Sequence, residues 1–292
     1  MGPGASRLSA ALDVALVTSA DYPDLDEQDR PLPEALARRG LTARAVRWDD
    51  PGFDWAGARM HLLRSTWDYW RRYREFVAWL DRVGPLGRMW NPVGVVRWNS
   101  EKRYLLDLAA RGAPVVPTVV LDAGADLAAL MDARGWRSVI VKPTVSAGGY
   151  RTMRVERDST AGGQRLLEEV LGDSAAMVQP YLPSVDEDGE HSLVFFERRL
   201  SHAVRREAGL RKPGQMPGAV ALEPAADEVG IAEAVLRLVP GELLYARVDL
   251  VRDLAGQWRL LELEIMEPSL FLPHVPGALD RFADAVAARL LA

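Results

Sequence analysis

The chain has 292 residues, a formal charge of −5 and no cysteine. The missing thiols exclude disulfide staples and cysteine nucleophiles, and arginines dispersed among acids leave no massed basic face for nucleic acid. No apolar run approaches the ~18 residues of a membrane span and the first ten residues lack a secretory apolar core, so a compact cytoplasmic protein is expected, without nucleic-acid or membrane partners.

"LDVALVTSA", from Leu12, reads as a short apolar strand ending in small residues. From Pro31, "PLPEALARRGLTARAVRW" gives a helix stopped by Gly40 and then a second strand, which makes a βαβ opening. "MHLLRSTWDYW" adds an apolar segment that breaks at Arg64 to Asp68, and "RRYREFVAWLDRVG" has helical spacing. Residues 1–98 are therefore expected to form an α/β domain on a parallel sheet. Its strand ends would carry Thr18, Ser19, Asp21, Arg64, Ser65, Thr66 and Asp68, where ligands of such sheets gather.

Next, "NSEKRYLLDLAARG" offers Asn99 or Ser100 as a helix cap, with Lys102 in the first turn. A helix near Asp126 to Arg134 precedes "VIVKPTVSAGGYRTMRV", a strand ending on Lys142, a small-residue turn and a second strand. Two readings of that turn stand side by side. Gly148 and Gly149 make a permissive hairpin, or Ser146 to Gly149 form an N–H-rich loop that folds with the Lys142 ammonium over phosphates. A helix from Gly163, the strand "AAMVQPYLP", the strand pair "EHSLVFFERRLSHAVRRE", a helix from Ala226, the pair "LLYARVDLVRD" and "QWRLLELEIM", and an amphipathic final helix complete the chain. The order predicts an α/β lobe at 1–98 followed by two α+β lobes at 99–179 and 180–292.

Strand alternation places Tyr245, Arg247, Asp249 and Val251 on one face, and Glu262 and Glu264 on one face of the next strand opposite Leu261, Leu263 and Ile265. A hairpin would bring three carboxylates together with Arg247. Two accounts remain open. One is an exposed face on which Arg247 and Arg259 pair with the acids; the other is a divalent cation, magnesium fitting best because it combines a few carboxylates with phosphate oxygens and water. The four histidines, His61, His191, His202 and His274, share no short ligand spacing.

The ordered set of Lys102, the strand to Lys142 with its glycine turn, "VQPYL", "DGEHSLVFF", "YARVDLV" and "ELEIMEP" resembles the ATP-grasp family of carboxylate–amine ligases over nearly the whole chain. Within it, "YPDLDEQD", "STWDY", "HSLVFF", "SHAVRR" and "LELEIMEPSLFL" are similar to the cyclo-ligases that close the cycloserine ring from O-ureido-serine, and to glutathione-synthetase-like relatives. The resemblance implies two α+β lobes clasping ATP with Mg2+, or Mn2+ in its place. Lys102 and Lys142 would reach the phosphates under Ser146, Ala147, Gly148 and Gly149. Backbone groups of Gln179, Pro180, Tyr181 and Leu182 would read adenine, and Glu187 or Glu190 would hold the ribose, Glu187 being preferred by its distance from the hinge. Asp249, Glu262 and Glu264 would be the metal acids, although Glu264 stands where many relatives resemble asparagine. After "SHAV" this chain departs from the family pattern, and Arg205 or Arg206 would take the basic role there, with Arg211 for a later arginine.

The resemblance further implies that a small-molecule carboxylate is activated as an acyl phosphate and attacked by an amine-type nucleophile. Lys142, Arg205 or Arg206 would act on the phosphates, and Arg247 on the acyl oxyanion. Arg64, Ser65 and Thr66 would shape the acceptor pocket, Arg64 gripping a carboxylate. Asp68 would orient an amino nitrogen or cap the following helix, and Asp21 could meet a cationic group. A small-molecule kinase and a non-catalytic nucleotide-binding protein are the competing classes, and a homodimer is left open.

Overall fold

The computed structural model describes residues 12–207 and 218–291. Arg211 lies outside them.

The opening lobe runs β1 (Leu12–Thr18), α1 (Leu32–Ala37), β2 (Ala43–Arg47), β3 (Ala58–Leu63), α2 (Tyr73–Val83), β4 (Met89–Trp90) and α3 (Val93–Asn99). Its four strands pair in parallel in the order β2-β1-β3-β4. Because the order reverses between β1 and β3, the loops leaving those strands diverge and open a crevice at their carboxyl ends.

The middle section comprises α4 (Tyr104–Ala110), β5 (Val119–Leu121), α5 (Leu127–Arg134), β6 (Ser138–Pro143), β7 (Met153–Glu156), α6 (Ala161–Asp173) and β8 (Ala176–Pro180). The four strands form an antiparallel sheet ordered β5-β8-β6-β7, with α5 and α6 burying Leu127, Met131, Leu167 and Val170 against β6 and β8. Then follow α7 (Ser184–Glu187), β9 (Glu190–Phe196), β10 (Arg199–Arg206), β11 (Ala219–Leu222), α8 (Ala226–Leu238), β12 (Tyr245–Arg252), β13 (Trp258–Glu264) and α9 (Ala278–Leu291). These five strands make a second antiparallel sheet, β11-β10-β9-β12-β13. α8 and α4 cover one face; α9 covers the other, where Phe282 and Val286 share a core with Val14 and Leu16 of β1 and Val194 of β9. The fold is α/β and α+β, as expected.

Two departures from the sequence reading bear on the site. Asn99 is no cap: it is the last residue of α3, and its buried amide donates to Leu263 O at 2.7 Å and accepts from Ile265 N at 3.0 Å. Asn91 works the same way, donating to Tyr245 O and Ile265 O at 2.8 and 2.7 Å and accepting from Leu244 N at 2.7 Å. A buried amide that meets three backbone groups satisfies them all and fixes register. The second departure is a bulge. The β12–β13 ladder pairs Asp249 with Glu262 but Leu250 with Leu260, so Leu261 is the extra residue. Strict alternation puts Leu261 opposite Glu262, whereas the bulge turns it out of the main core to pack with Val116, Leu182 and Val251.

His202, on β10, is structural. Its Nε2 meets Leu270 O at 2.8 Å and its Nδ1 meets Ser201 Oγ at 2.9 Å. Burial pushes its pKa down to about 4 from 6.5. The native state thus refuses a proton that the unfolded chain accepts, and stability falls as pH drops from about 6.5 towards 4, by up to about 3 kcal/mol from this group. Replacing His202 with glutamine should flatten that part of the stability–pH curve in denaturant titrations; an unaltered slope would exclude His202 as its source.

Candidate active site

Two cavities meet where the central sheet faces β12 and β13. The larger, about 570 Å³, is bounded by the β1 and β3 loops (Asp21, Tyr22, Trp67, Trp70), the glycine loop (Ser146, Ala147, Gly148, Tyr150), Lys102 and the charged residues of the last sheet. The smaller, about 300 Å³, has apolar walls from Ile140, Leu182, Val185, Val251 and Leu261, with Gln179, Pro180 and Tyr181 along one side. Two ion pairs form the partition between them. Lys142 Nζ, from the smaller cavity, meets Glu262 Oε1, from the larger, at 2.7 Å, and Glu190 likewise meets Arg206 across the boundary.

The hairpin places oxygens of Asp249, Glu262 and Glu264 all within 4.8 Å of one another. Arg247 lies among them, its Nε and Nη2 each donating to Asp249 at 2.9 Å and its Nη2 to Glu264 at 2.5 Å. Asp249 also accepts from Ser192 Oγ at 2.6 Å and Arg206 Nη2 at 2.9 Å. Burial raises the Asp249 pKa, but Arg206 and Arg247 outweigh it and hold the carboxyl below its usual range. Glu262 is also lowered, Lys142 and Lys102 overcoming its burial. Glu264 goes the other way. Burial, with Asp249 and Glu262 adding to it, pushes Glu264 up to about 7 despite Arg247. The cations present therefore fall short of keeping three carboxylates ionised at neutral pH, and oxygen donors so spaced fit a divalent cation.

Above this cluster the glycine loop connects β6 to β7. Gly148 and Gly149 have φ of +60° and +74°, and a Cβ on either would meet nothing within 4 Å, so backbone conformation rather than crowding requires glycine. Lys102 Nζ donates to Ser146 O at 2.8 Å, and Tyr150 stacks on Trp70 of the opening lobe with centroids 3.8 Å apart. Tyr150 and Trp70 thus tie the loop to the first domain while both line the larger cavity. In the smaller cavity, Arg154 Cζ sits 3.7 Å from the Tyr181 ring centroid. The Tyr181 N–H is taken by Ser138 O at 2.9 Å and the Gln179 backbone lies in the β6–β8 ladder while its side-chain amide donates to Thr118 Oγ1 at 2.9 Å, so of the expected hinge residues Leu182 keeps an N–H without a partner among the described residues.

The expected residues sort clearly. Asp21, Lys102, Ser146, Ala147, Gly148, Arg206, Arg247, Glu262 and Glu264 line the larger cavity, and Lys142, Gln179, Pro180, Tyr181, Leu182 and Glu190 the smaller. Asp249 lies just beneath, fully buried. Arg205 is exposed because it alternates with Arg206 on β10, so Arg206 alone of the two faces the cavity. Glu187 closes the single turn of α7 and points to solvent; the turn aims Asp186 and Glu190 at the smaller cavity instead.

The acceptor-pocket residues from β3 need the largest correction. Arg64 is fully buried in a two-pronged ion pair with Asp29, both contacts 3.1 Å, and donates to Pro268 O at 2.9 Å. It has no path to a substrate carboxylate. Ser65 is also buried, its Oγ accepting from Asp26 N at 2.9 Å, and Thr66 is sealed beside it. Asp68 neither caps a helix nor lines the cavity: no cap bond forms, and its carboxylate accepts from Trp48 Nε1 at 2.8 Å. Replacing Asp68 with alanine should cost about 1–3 kcal/mol by orphaning that indole N–H, with the substrate KM unchanged. A KM change at constant melting temperature would return Asp68 to the pocket. Asp21 does reach the larger cavity, paired with Arg71 at 2.7 Å.

The sequence reading missed Tyr22, Tyr104, Glu267 and Phe271, all on the larger cavity. Glu267 follows Glu264 by three residues, past the end of β13, where strand alternation no longer indicates direction.

A model of the N-terminal domain of D-cycloserine synthetase DcsG matches residues 14–91. The cycloserine biosynthesis protein DcsG of Streptomyces lavendulae is 36% identical over 294 residues, which cover 95% of this chain and 98% of that protein. The chain belongs to the DcsG family. The crystal structure of D-cycloserine synthetase DcsG superposes with a TM-score of 0.87 at 35% identity, covering 95% of this chain and 99% of the other. The ATP-grasp ligase PsnB, in a complex with a phosphomimetic variant of its minimal precursor, Mg and ADP, superposes at 0.67 with 18% identity and coverage of 96% and 99%, a likeness of fold. As a DcsG-family chain with the ATP-grasp fold, the protein is an ATP-dependent ligase that forms C–N bonds, rather than a kinase or a scaffold. No helix among the described residues is long and apolar enough to cross a membrane.

Proposed function

We propose that this ligase uses Mg-ATP to activate the carboxylate of one small molecule as an acyl phosphate, and that an amine-type nitrogen of the same molecule then closes a ring. The observation that carries this reading is the partition: the carboxylate cluster and its cations stand between an apolar cavity suited to a base and a larger polar cavity suited to phosphates and one small substrate. Similarity to D-cycloserine synthetase supports ring closure over joining of two molecules.

Adenine would lie between Ile140, Leu182, Val251 and Leu261, reading the free Leu182 N–H, with Glu190 or Asp186 toward the ribose. Phosphate oxygens would replace Glu262 and Ser146 O as partners of Lys142 and Lys102. Asp249, Glu262 and Glu264 would hold magnesium, or manganese in its place, and the bound ion would neutralise charge on the transferring oxygens. A substrate carboxylate oxygen attacks the γ-phosphorus, ADP leaves, and the nitrogen displaces phosphate from the acyl carbon with loss of a proton. Arg247 and Arg206, which keep their charge in this acidic setting, stabilise the oxyanion that develops at that carbon. The Trp70–Tyr150 stack closes the cavity and excludes water from the acyl phosphate.

A coupled ADP-release screen over amino acids, O-substituted serines and simple carboxylic acids, followed by product mass, tests the proposal. ADP release with a product derived from a single substrate molecule supports it; a product carrying the summed mass of two molecules less water would replace cyclisation by ligation, and a stable phosphorylated product would overturn both.

A further inference from the structure

Five described residues other than glycine have a positive φ: Leu25, Arg151, Glu197, Arg198 and Phe271. Glu197 and Arg198 form the turn between β9 and β10, and Arg151 lies in the loop between β6 and β7. Leu25 and Phe271 belong to no hairpin turn; both are buried in one apolar core, at φ of +68° and +52°. A bulky apolar residue held left-handed is strained, and its surroundings must hold it there. For Phe271 the holding bond comes from the same loop as Leu25: Gln28 Oε1 accepts from Phe271 N at 3.1 Å. Phe271 ends the segment 267–271, which follows β13 as irregular chain yet has successive carbonyls taken by side chains from separate elements. Glu267 O accepts from Trp67, Pro268 O from Arg64, Ser269 O from Arg247 and Leu270 O from His202.

We infer that Gln28 is a positioning residue for Arg247, acting through Phe271; the inference deepens the ring-closing reading above and rests on it for the part Arg247 plays. By accepting the Phe271 N–H, Gln28 fixes the strained turn that sets the Phe271 ring centroid 5.5 Å from Arg247 Cζ. The guanidinium is thereby held both by bonds along its edge and by an aromatic face. Nε and Nη2 donate to Asp249 and Glu264, Nη1 donates to Ser269 O at 3.2 Å, and Cζ lies over the ring. These bonds use all but one of the guanidinium N–H groups among the described residues, and the remaining one, on Nη1, is available to the oxyanion that develops at the acyl carbon. Ser269 and Phe271 both line the larger cavity, so the strap that anchors Nη1 also bounds the place where that N–H is needed. Releasing Phe271 lets the strap relax, and with Ser269 O displaced Nη1 loses its fixed aim.

Arginine side-chain NMR of the substrate-free protein tests the positioning, with the Arg247 Nε–H signal identified by its loss in Arg247→Lys. Gln28→Met keeps the bulk and removes the acceptor, and should speed exchange of that proton with water about 10-fold or more; Gln28→Glu keeps an acceptor oxygen and should stay near the wild type. Phe271→Gly, which adopts the left-handed conformation freely but has no ring, should loosen Arg247 as Gln28→Met does. In ADP release driven by O-ureido-serine or another substrate from the screen above, Gln28→Met should lower kcat about 10- to 100-fold with the KM for ATP unchanged, and should add little in an Arg247→Lys background. Unaltered Arg247 exchange in a folded Gln28→Met or Phe271→Gly protein, or the same fold-loss of rate with and without Arg247, would overturn the inference. Absence of ADP release from a protein whose Arg247 responds as described would instead overturn the ring-closing reading and leave the positioning standing.

Discussion

Changing Glu262 to glutamine is expected to lower kcat by about 10²- to 10⁴-fold and to raise the magnesium concentration needed for half-maximal rate. The amide keeps the shape and removes one of three charges spaced to grip a cation, and several kcal/mol of transition-state stabilisation depend on that grip. The variant also reduces the 2.7 Å Lys142 contact from an ion pair to a hydrogen bond with a neutral amide oxygen, which distinguishes it from a general destabilisation. Nucleotide should then bind at least as well in the absence of magnesium, because the lysine no longer has to exchange a carboxylate for a phosphate. A magnesium titration of the turnover rate that matches the wild type would remove Glu262 from the metal set.

Replacing Arg247 with methionine is expected to act on stability and rate together. The guanidinium is 4% exposed and bonds Asp249, Glu264 and the Ser269 carbonyl, so its loss strands buried charge and should cost about 3–5 kcal/mol. For a chain of this size that corresponds to a melting temperature roughly 10 °C lower. Lowering the pH towards 7 should recover part of the loss, because Glu264, pushed up to about 7 even with Arg247 beside it, goes higher without the arginine and takes up a proton in that range. The sign follows from proton uptake: without Arg247 the folded state binds a proton at Glu264 more readily than the unfolded chain, so stability declines as pH rises. Equal melting temperatures for variant and wild type across pH 6–8 would show that Arg206 suffices for the cluster.

The opening α/β lobe and the two antiparallel lobes were legible because apolar periodicity changes from helical to alternating at each boundary and glycines mark the stops. The β12–β13 carboxylates were legible for a related reason: two strands joined by a short turn must pair, and alternation fixes which side chains share a face. What misled was also local. Arg64 sits at a strand end of the kind that binds ligands, but its partner Asp29 lies 35 residues earlier and its second partner, Pro268, 204 residues later, distances across which periodicity says nothing. Leu261 and Glu267 were misplaced or missed at a bulge and past a strand end, the two places where a period of two ceases to apply. Glu187 was favoured over Glu190 by counting residues from the hinge, and the helical turn of α7 shortens that count in space.

The asparagine clamps decide which part of the molecule can move. Asn91 and Asn99 fasten the first domain to β12 and β13, and α9 seals the same junction with a shared apolar core. Among the described residues the central sheet has no buried asparagine clamp; its ties run through the glycine-loop end instead, Lys102 N donating to Thr144 O at 2.8 Å and Tyr150 stacking on Trp70. The chain enters it after Val116, whose N–H is pinned to Leu260 O at 2.9 Å, and leaves it at Tyr181 and Leu182. Nucleotide entry should therefore swing residues 119–180 alone, like a jaw on a fixed skull, with pivots near Thr118 and Leu182. Hydrogen exchange with and without Mg-ADP would locate them: protection changes centred on the β4–β12 junction instead would show that the first domain is the part that moves.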